Sequence, residues 1–208
     1  MFKSLFNPES GLMIAMTQVT DVIFLSLFWL LCCFPVVTIG PATAALYDAC
    51  YKGFRKGDKH PWQRFWKSFR GNLKTGIPAT VVFLALLLGA VWGMIQIWNA
   101  AVYGEISWML FAAAAFLALL LLGILCLMFP LLSRFETGFV QLMKNTFLLA
   151  FANLPRTLLL GFVNAVCAYL CIRFIFPIFF LPAVAALLSS LFVEPMLKPY
   201  MPSEETAA

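Results

Sequence analysis

Phe34-Pro35-Val36-Val37-Thr38-Ile39-Gly40-Pro41-Ala42-Thr43-Ala44-Ala45-Leu46-Tyr47 joins an apolar stretch to the most basic part of the chain. Around it, Asp21 and Asp48 bracket 26 uncharged residues, Val22–Tyr47. Immediately after it, the segment 48–76 holds Lys52, Arg55, Lys56, Lys59, Arg64, Lys67, Arg70 and Lys74, eight of the fourteen Lys and Arg in the chain. An apolar run closed by Pro35 and Gly40-Pro41 and followed by clustered cations predicts a membrane helix whose basic end is held in the cytoplasm.

The composition agrees with a membrane setting. Of 208 residues, 63% are hydrophobic and 11% charged, whereas soluble domains are about 45–50% apolar and about 25% charged. Nothing resembling a linker divides the chain, so a single helical domain is expected. The formal charge of +5 is concentrated in one segment. Beside long apolar runs that pattern sets orientation in a bilayer, and no nucleic-acid partner is implied.

Charge-free intervals then place the spans. A bilayer core of roughly 30 Å needs about 20 helical residues. The first span fits residues 19–37, and Ala42–Phe54 restarts as a short helix at the interface. Lys74 and Glu105 bracket 30 uncharged residues, which places a second span at 77–98. Trp92, Trp98, Tyr103 and Trp108 form an aromatic belt around an outer loop carrying Glu105. Further spans fit 108–129, 157–176 and 179–196. The expected architecture is all-α and polytopic, with about five transmembrane helices and one or two amphipathic interfacial helices. Charge counting puts the N-terminus outside and the C-terminus, with Glu204 and Glu205, in the cytoplasm. Ala42-Thr43-Ala44 looks like a signal-peptidase site, but the cations follow the apolar run instead of preceding it, which argues against cleavage.

Within the basic segment, Trp62, Phe65, Trp66, Phe69 and Leu73 recur at helical steps while Arg64, Lys67, Ser68 and Lys74 fall largely on other faces, and Trp62, Phe65, Trp66, Phe69, Arg64, Lys67 and Arg70 are the candidate contact residues. This amphipathic pattern from Pro61 to Lys74 fits a helix in the headgroup plane of the lipid bilayer, or a helix that docks a cytoplasmic partner. A second amphipathic pattern runs through Phe135, Phe139, Leu142, Met143, Phe147 and Phe151. A faint echo links Lys67–Pro78 with Lys144–Pro155, each carrying an Asn-Leu pair and a proline before the next span.

Catalytic chemistry is not in evidence. His60 is the only histidine and precedes a helix. The six cysteines show no ligand spacing and read as small hydrophobes, so neither a metal nor a cofactor is expected. Asp21 and Arg173, each at the end of a span, are candidates for an intramembrane ion pair, and separate snorkelling to water is the alternative.

Phe34–Tyr47, Phe65-x3-Phe69-x2-Asn72, Asn153-Leu154-Pro155-Arg156 and Phe6-Asn7-Pro8 with Asp21 together resemble the YesL-like family of small bacterial integral membrane proteins. That resemblance covers most of the chain and implies a multi-pass protein of the bacterial cell membrane. Family members are commonly encoded near sugar importers of the ATP-binding-cassette type, and no catalytic residues are assigned to them. The resemblance therefore implies a non-enzymatic accessory or regulatory role beside importer permease subunits. A transporter or permease-like subunit in its own right is the alternative, and would call for a polar cluster at mid-membrane.

Overall fold

The computed structural model describes residues 11–55, 60–104, 107–135, 138–174 and 176–200. Eight α-helices and no strand occur among them: α1 Gly11–Cys32, α2 Ile39–Arg55, α3 Pro61–Gly71, α4 Leu73–Val102, α5 Trp108–Arg134, α6 Phe139–Ala152, α7 Leu154–Arg173 and α8 Leu181–Leu197. The expected N-terminal turn, Glu105, and the tail with Glu204 and Glu205 lie outside the described residues.

Three helices, α4, α5 and α7, are long and apolar enough to cross a membrane. Only 6% of the apolar window of α4 is buried within the protein. Outward-facing apolar surface on that scale costs too much in water and suits lipid. The shorter apolar helices include the Gln18–Cys32 part of α1 and the whole of α8. The stretch expected to span as 19–37 is cut because α1 stops at Cys32, ahead of Pro35, and the chain turns through a 3₁₀ segment at Val36–Thr38. Proline lacks the N–H that a continuing helix needs there. Likewise α7 begins at Leu154 instead of 157, with Pro155 among its first residues, where that missing donor costs nothing.

The helix that follows the turn lies at the centre of the fold. α2 packs against α1, α3, α4, α5 and α8, and Gly40, Pro41, Ala42 and Ala44 through Cys50 are all buried. Expected as a short interfacial helix over Ala42–Phe54, it is longer and mostly enclosed. Its alanines let neighbours approach closely: Ala42, Ala44, Ala45, Ala49 and Cys50 are fully covered.

Both neighbours of α2 in sequence run antiparallel to it. The Thr38 hydroxyl donates to the Cys32 carbonyl, Trp29 Nε1 donates to Thr43 Oγ1 at 3.2 Å, and Leu25 joins the cluster of Ala45, Leu46, Ala49 and Cys50. Moving backward along α1 therefore means moving forward along α2. On the other side Asp48 meets Arg64, and Gly40 meets Gly76 and Thr80. The N-terminal end of α1 and the C-terminal end of α2 thus share one end of the bundle.

Close helix crossings rest on glycine. A Cβ on Gly40 would fall 2.2 Å from Thr80 Oγ1, and one on Gly123 would fall 2.2 Å from the Thr157 carbonyl oxygen. The Gly40 N–H donates to Thr80 Oγ1 at 3.0 Å, and Thr80 Oγ1 donates to the Gly76 carbonyl at 2.7 Å. Buried hydroxyls elsewhere are similarly satisfied: Thr157 donates to the Ala150 and Asn153 carbonyls, and Ser26 accepts from the Ala183 N–H. An unpaired polar group in such a site would cost about 1–3 kcal/mol.

The faint echo in the sequence has a structural counterpart. α3 passes into α4 at Asn72 and α6 into α7 at Asn153, so each pair of helices is separated by a single asparagine. In both places the Asn Nδ2 donates back four residues, to the Ser68 and Leu149 carbonyls respectively.

Candidate functional site

Tyr47 and Asp48, adjacent in α2, each enter a different charge cluster. Asp48 is 4% exposed. Lys52, one turn on, brings Nζ to 2.7 Å from Oδ1, close enough for an ion pair though not aligned as a hydrogen bond. From α3, Arg64 Nε donates to Oδ2 at 3.3 Å. A carboxylate this deep needs such partners, since ionised oxygens out of water are costly alone. The Asp48 cluster therefore ties the two arms of the α2–α3 hairpin together.

The second cluster gathers Tyr47, Tyr51, Arg134 and Glu194 from α2, α5 and α8. Arg134 and Glu194 form an ion pair whose side chains are only 10 and 14% exposed. The Tyr47 hydroxyl donates to Glu194 Oε1 at 3.0 Å. The Arg134 guanidinium lies 4.1 Å from the centroid of the Tyr51 ring. Burial first, and then the Glu194 charge, push the Tyr47 hydroxyl far above the ordinary tyrosine range, so it stays protonated as a donor. Arg134 Nε has no hydrogen-bond partner among the described residues.

The residues singled out from the sequence are divided by the fold. Phe65 is 1% exposed, Phe69 packs on the same cluster, and Arg64 turns to Asp48. Trp62, Trp66, Lys67 and Arg70 face outward. Arg70 sits over the Trp66 ring at 5.3 Å. No ion pair joins Asp21 and Arg173. Arg173 ends α7 with its guanidinium over the Phe174 ring at 5.8 Å. Trp98, Trp108 and Phe111 interlock edge to face where α4 meets α5, with Trp92 and Tyr103 exposed nearby.

Sequence reasoning missed both clusters. One signal was present, since Asp48 and Lys52 are spaced i,i+4 as helix ion pairs are. Arg134 and Glu194 lie 60 residues apart, and no local pattern links them.

Among the described residues no group of three or more His, Cys, Asp or Glu could hold a metal ion. Two apolar grooves stand out among the described residues. One, of about 240 Å³, lies between α5, α6 and α8, with Asn145 among apolar residues such as Leu131, Phe135 and Leu197. The other lies between α4 and α5 and is lined by aliphatic side chains and Gln96. Neither brings together the convergent polar groups that fix a small substrate.

Residues 22–94 match a family described as "Protein of unknown function, DUF624". The matched stretch contains the later part of α1, the whole α2–α3 hairpin and most of α4. It therefore includes the Phe34–Tyr47 segment and the Asp48 cluster. No curated protein and no solved structure matches the chain.

Proposed function

We propose that the protein is a non-enzymatic accessory or regulatory component of the bacterial cell membrane, working beside an importer of carbohydrates of the ATP-binding-cassette type. The family match is compatible with the YesL-like resemblance, whose genomic setting supplies the carbohydrate context. The observation that carries the accessory role is how the buried charges are used. Asp48 is engaged by Lys52 and Arg64, and Glu194 by Arg134 and Tyr47. These groups lock helices to one another, so they are not left to receive a solute. In this reading α8 joins the three long helices as an additional span, the basic hairpin faces the cytoplasm, and α1, which leads through the Val36–Thr38 turn to Gly40 beside Gly76 and Thr80 near the start of α4, runs alongside that hairpin. The antiparallel α1–α2 pair favours placing the N-terminal end of α1 on that same side, where charge counting alone favours the opposite side. Access of an N-terminal epitope to antibody on intact cells decides between them.

A second reading, a permease-like subunit, is favoured by the helices broken at Asn72 and Asn153, since transporters bind solutes at interrupted helices. Affinity purification of the tagged protein from its native membrane in mild detergent separates the two. Recovery of importer permease subunits supports the accessory role. Recovery of this chain alone, with sugar transport after reconstitution, supports the permease.

A further inference from the structure

The outward face of α3 has a composition that neither charge cluster uses. At 100° per residue, Trp62, Trp66, Arg70 and Lys67 occupy an arc of about 140°. Lys74, in the first turn of α4, is exposed just beyond the Asn72 break. Trp62 and Trp66 are 55 and 43% exposed. α3 contains no Asp or Glu. Arg64 and Lys52 share the one Asp48 carboxylate, but Lys67, Arg70 and Lys74 make no ion pair with any described residue. The face is also held in position. Trp66 stacks on Phe69, Phe69 stacks on the buried Phe65, and Arg70 lies over Trp66. Finally, α3 leads directly into α4, whose exposed apolar surface begins at Ile77 and Val81. It therefore adjoins the end of a candidate span.

We propose that Trp62, Trp66, Lys67, Arg70 and Lys74 form a binding surface for anionic phospholipid headgroups. The indoles sit at the headgroup–acyl boundary, where an apolar ring with a polar edge is favoured. The three cations contact lipid phosphates, with the Arg70 guanidinium suited to bidentate contact. Attraction of three cations to an anionic surface gives a preference over zwitterionic lipid of order tenfold to a hundredfold. This surface goes beyond the accessory reading and does not depend on it, because the test needs no importer.

The full-length protein is reconstituted in bilayers containing phosphatidylcholine and phosphatidylglycerol, with bromine on the acyl chains of one lipid or the other. Tryptophan quenching is compared with that of the W62F/W66F variant, which isolates the signal of the two indoles. Brominated phosphatidylglycerol should quench them in preference to brominated phosphatidylcholine, by about tenfold or more in relative affinity. The preference should fall towards one in K67Q/R70Q/K74Q, whose altered side chains are all exposed, and should weaken with salt. Equal quenching by both lipids, or a preference unchanged in the triple variant, overturns the proposal. Absence of quenching by either lipid also overturns it and leaves the face for a cytoplasmic protein.

Discussion

Gly123 and Thr157 touch at backbone level, and that contact has a measurable consequence. A Cβ at position 123 meets a carbonyl oxygen of α7, which cannot rotate aside; at position 40 it meets Thr80 Oγ1, with Phe129 and the Gly76 carbonyl behind it. Gly123→Ala is expected to destabilise by about 1–3 kcal/mol or more, and Gly40→Ala by a similar or smaller amount. At Gly89 nothing beyond its chain neighbours and its own helix backbone lies within 4 Å of the place a Cβ would take, so this position should accept Ala with a gain of up to about 1 kcal/mol from helix propensity. Thermal unfolding in detergent ranks the three variants. Equal behaviour of G123A and G89A would contradict the close crossing of α5 and α7. For Arg134 and Glu194, removal of either charge strands the other in a mostly buried site and should cost about 3–5 kcal/mol. The double variant R134M/E194L should lose clearly less than the sum of the two single losses. Additive losses in that cycle would mean that the pair is not coupled.

At the scale of elements, the α2–α3 hairpin depends on Asp48. Asp48→Asn leaves Lys52 and Arg64 without a counter-charge, and both are partly exposed, so the expected cost is about 1–3 kcal/mol. Proteolysis between Arg55 and His60 should accelerate in this variant if the hairpin loosens. An unchanged rate would deny Asp48 its tying role. The Asp48–Lys52 half of this arrangement was legible at i,i+4 spacing, and Pro61 marked the start of α3 correctly. The central position of α2 was not legible. A run of Gly, Ala and Pro shows neither the length of a span nor a broad apolar stripe, and small side chains reveal what they pack against only when the partners are present. Nor could periodicity separate Phe65 and Phe69, which face the fold, from Trp62 and Trp66, which face outward. All four sit on adjacent helical rows, and only the placement of α1 and α2 divides them.

On the scale of the whole molecule, charge-free length located α4, α5 and α7 because a bilayer imposes a minimum apolar length that few other environments do. Contacts between distant segments carry no such signature, and so Glu194 and Arg134 had to be brought together by the fold. The same distribution of charge makes the account testable as a whole. Basic α3 stands at one end of α4, and exposed aromatic residues, Trp98 and Tyr103 among them, stand at the other. The central claim is that the first end faces the cytoplasm and the second faces outward. The most direct measurement uses single cysteines at Gln63 and Tyr103, both exposed, in a chain whose six native cysteines have been replaced. Labelling uses a maleimide that does not cross membranes. The account predicts that Y103C is labelled on intact cells and Q63C only after permeabilisation. Labelling of both from the same side, or of Q63C alone on intact cells, would contradict it.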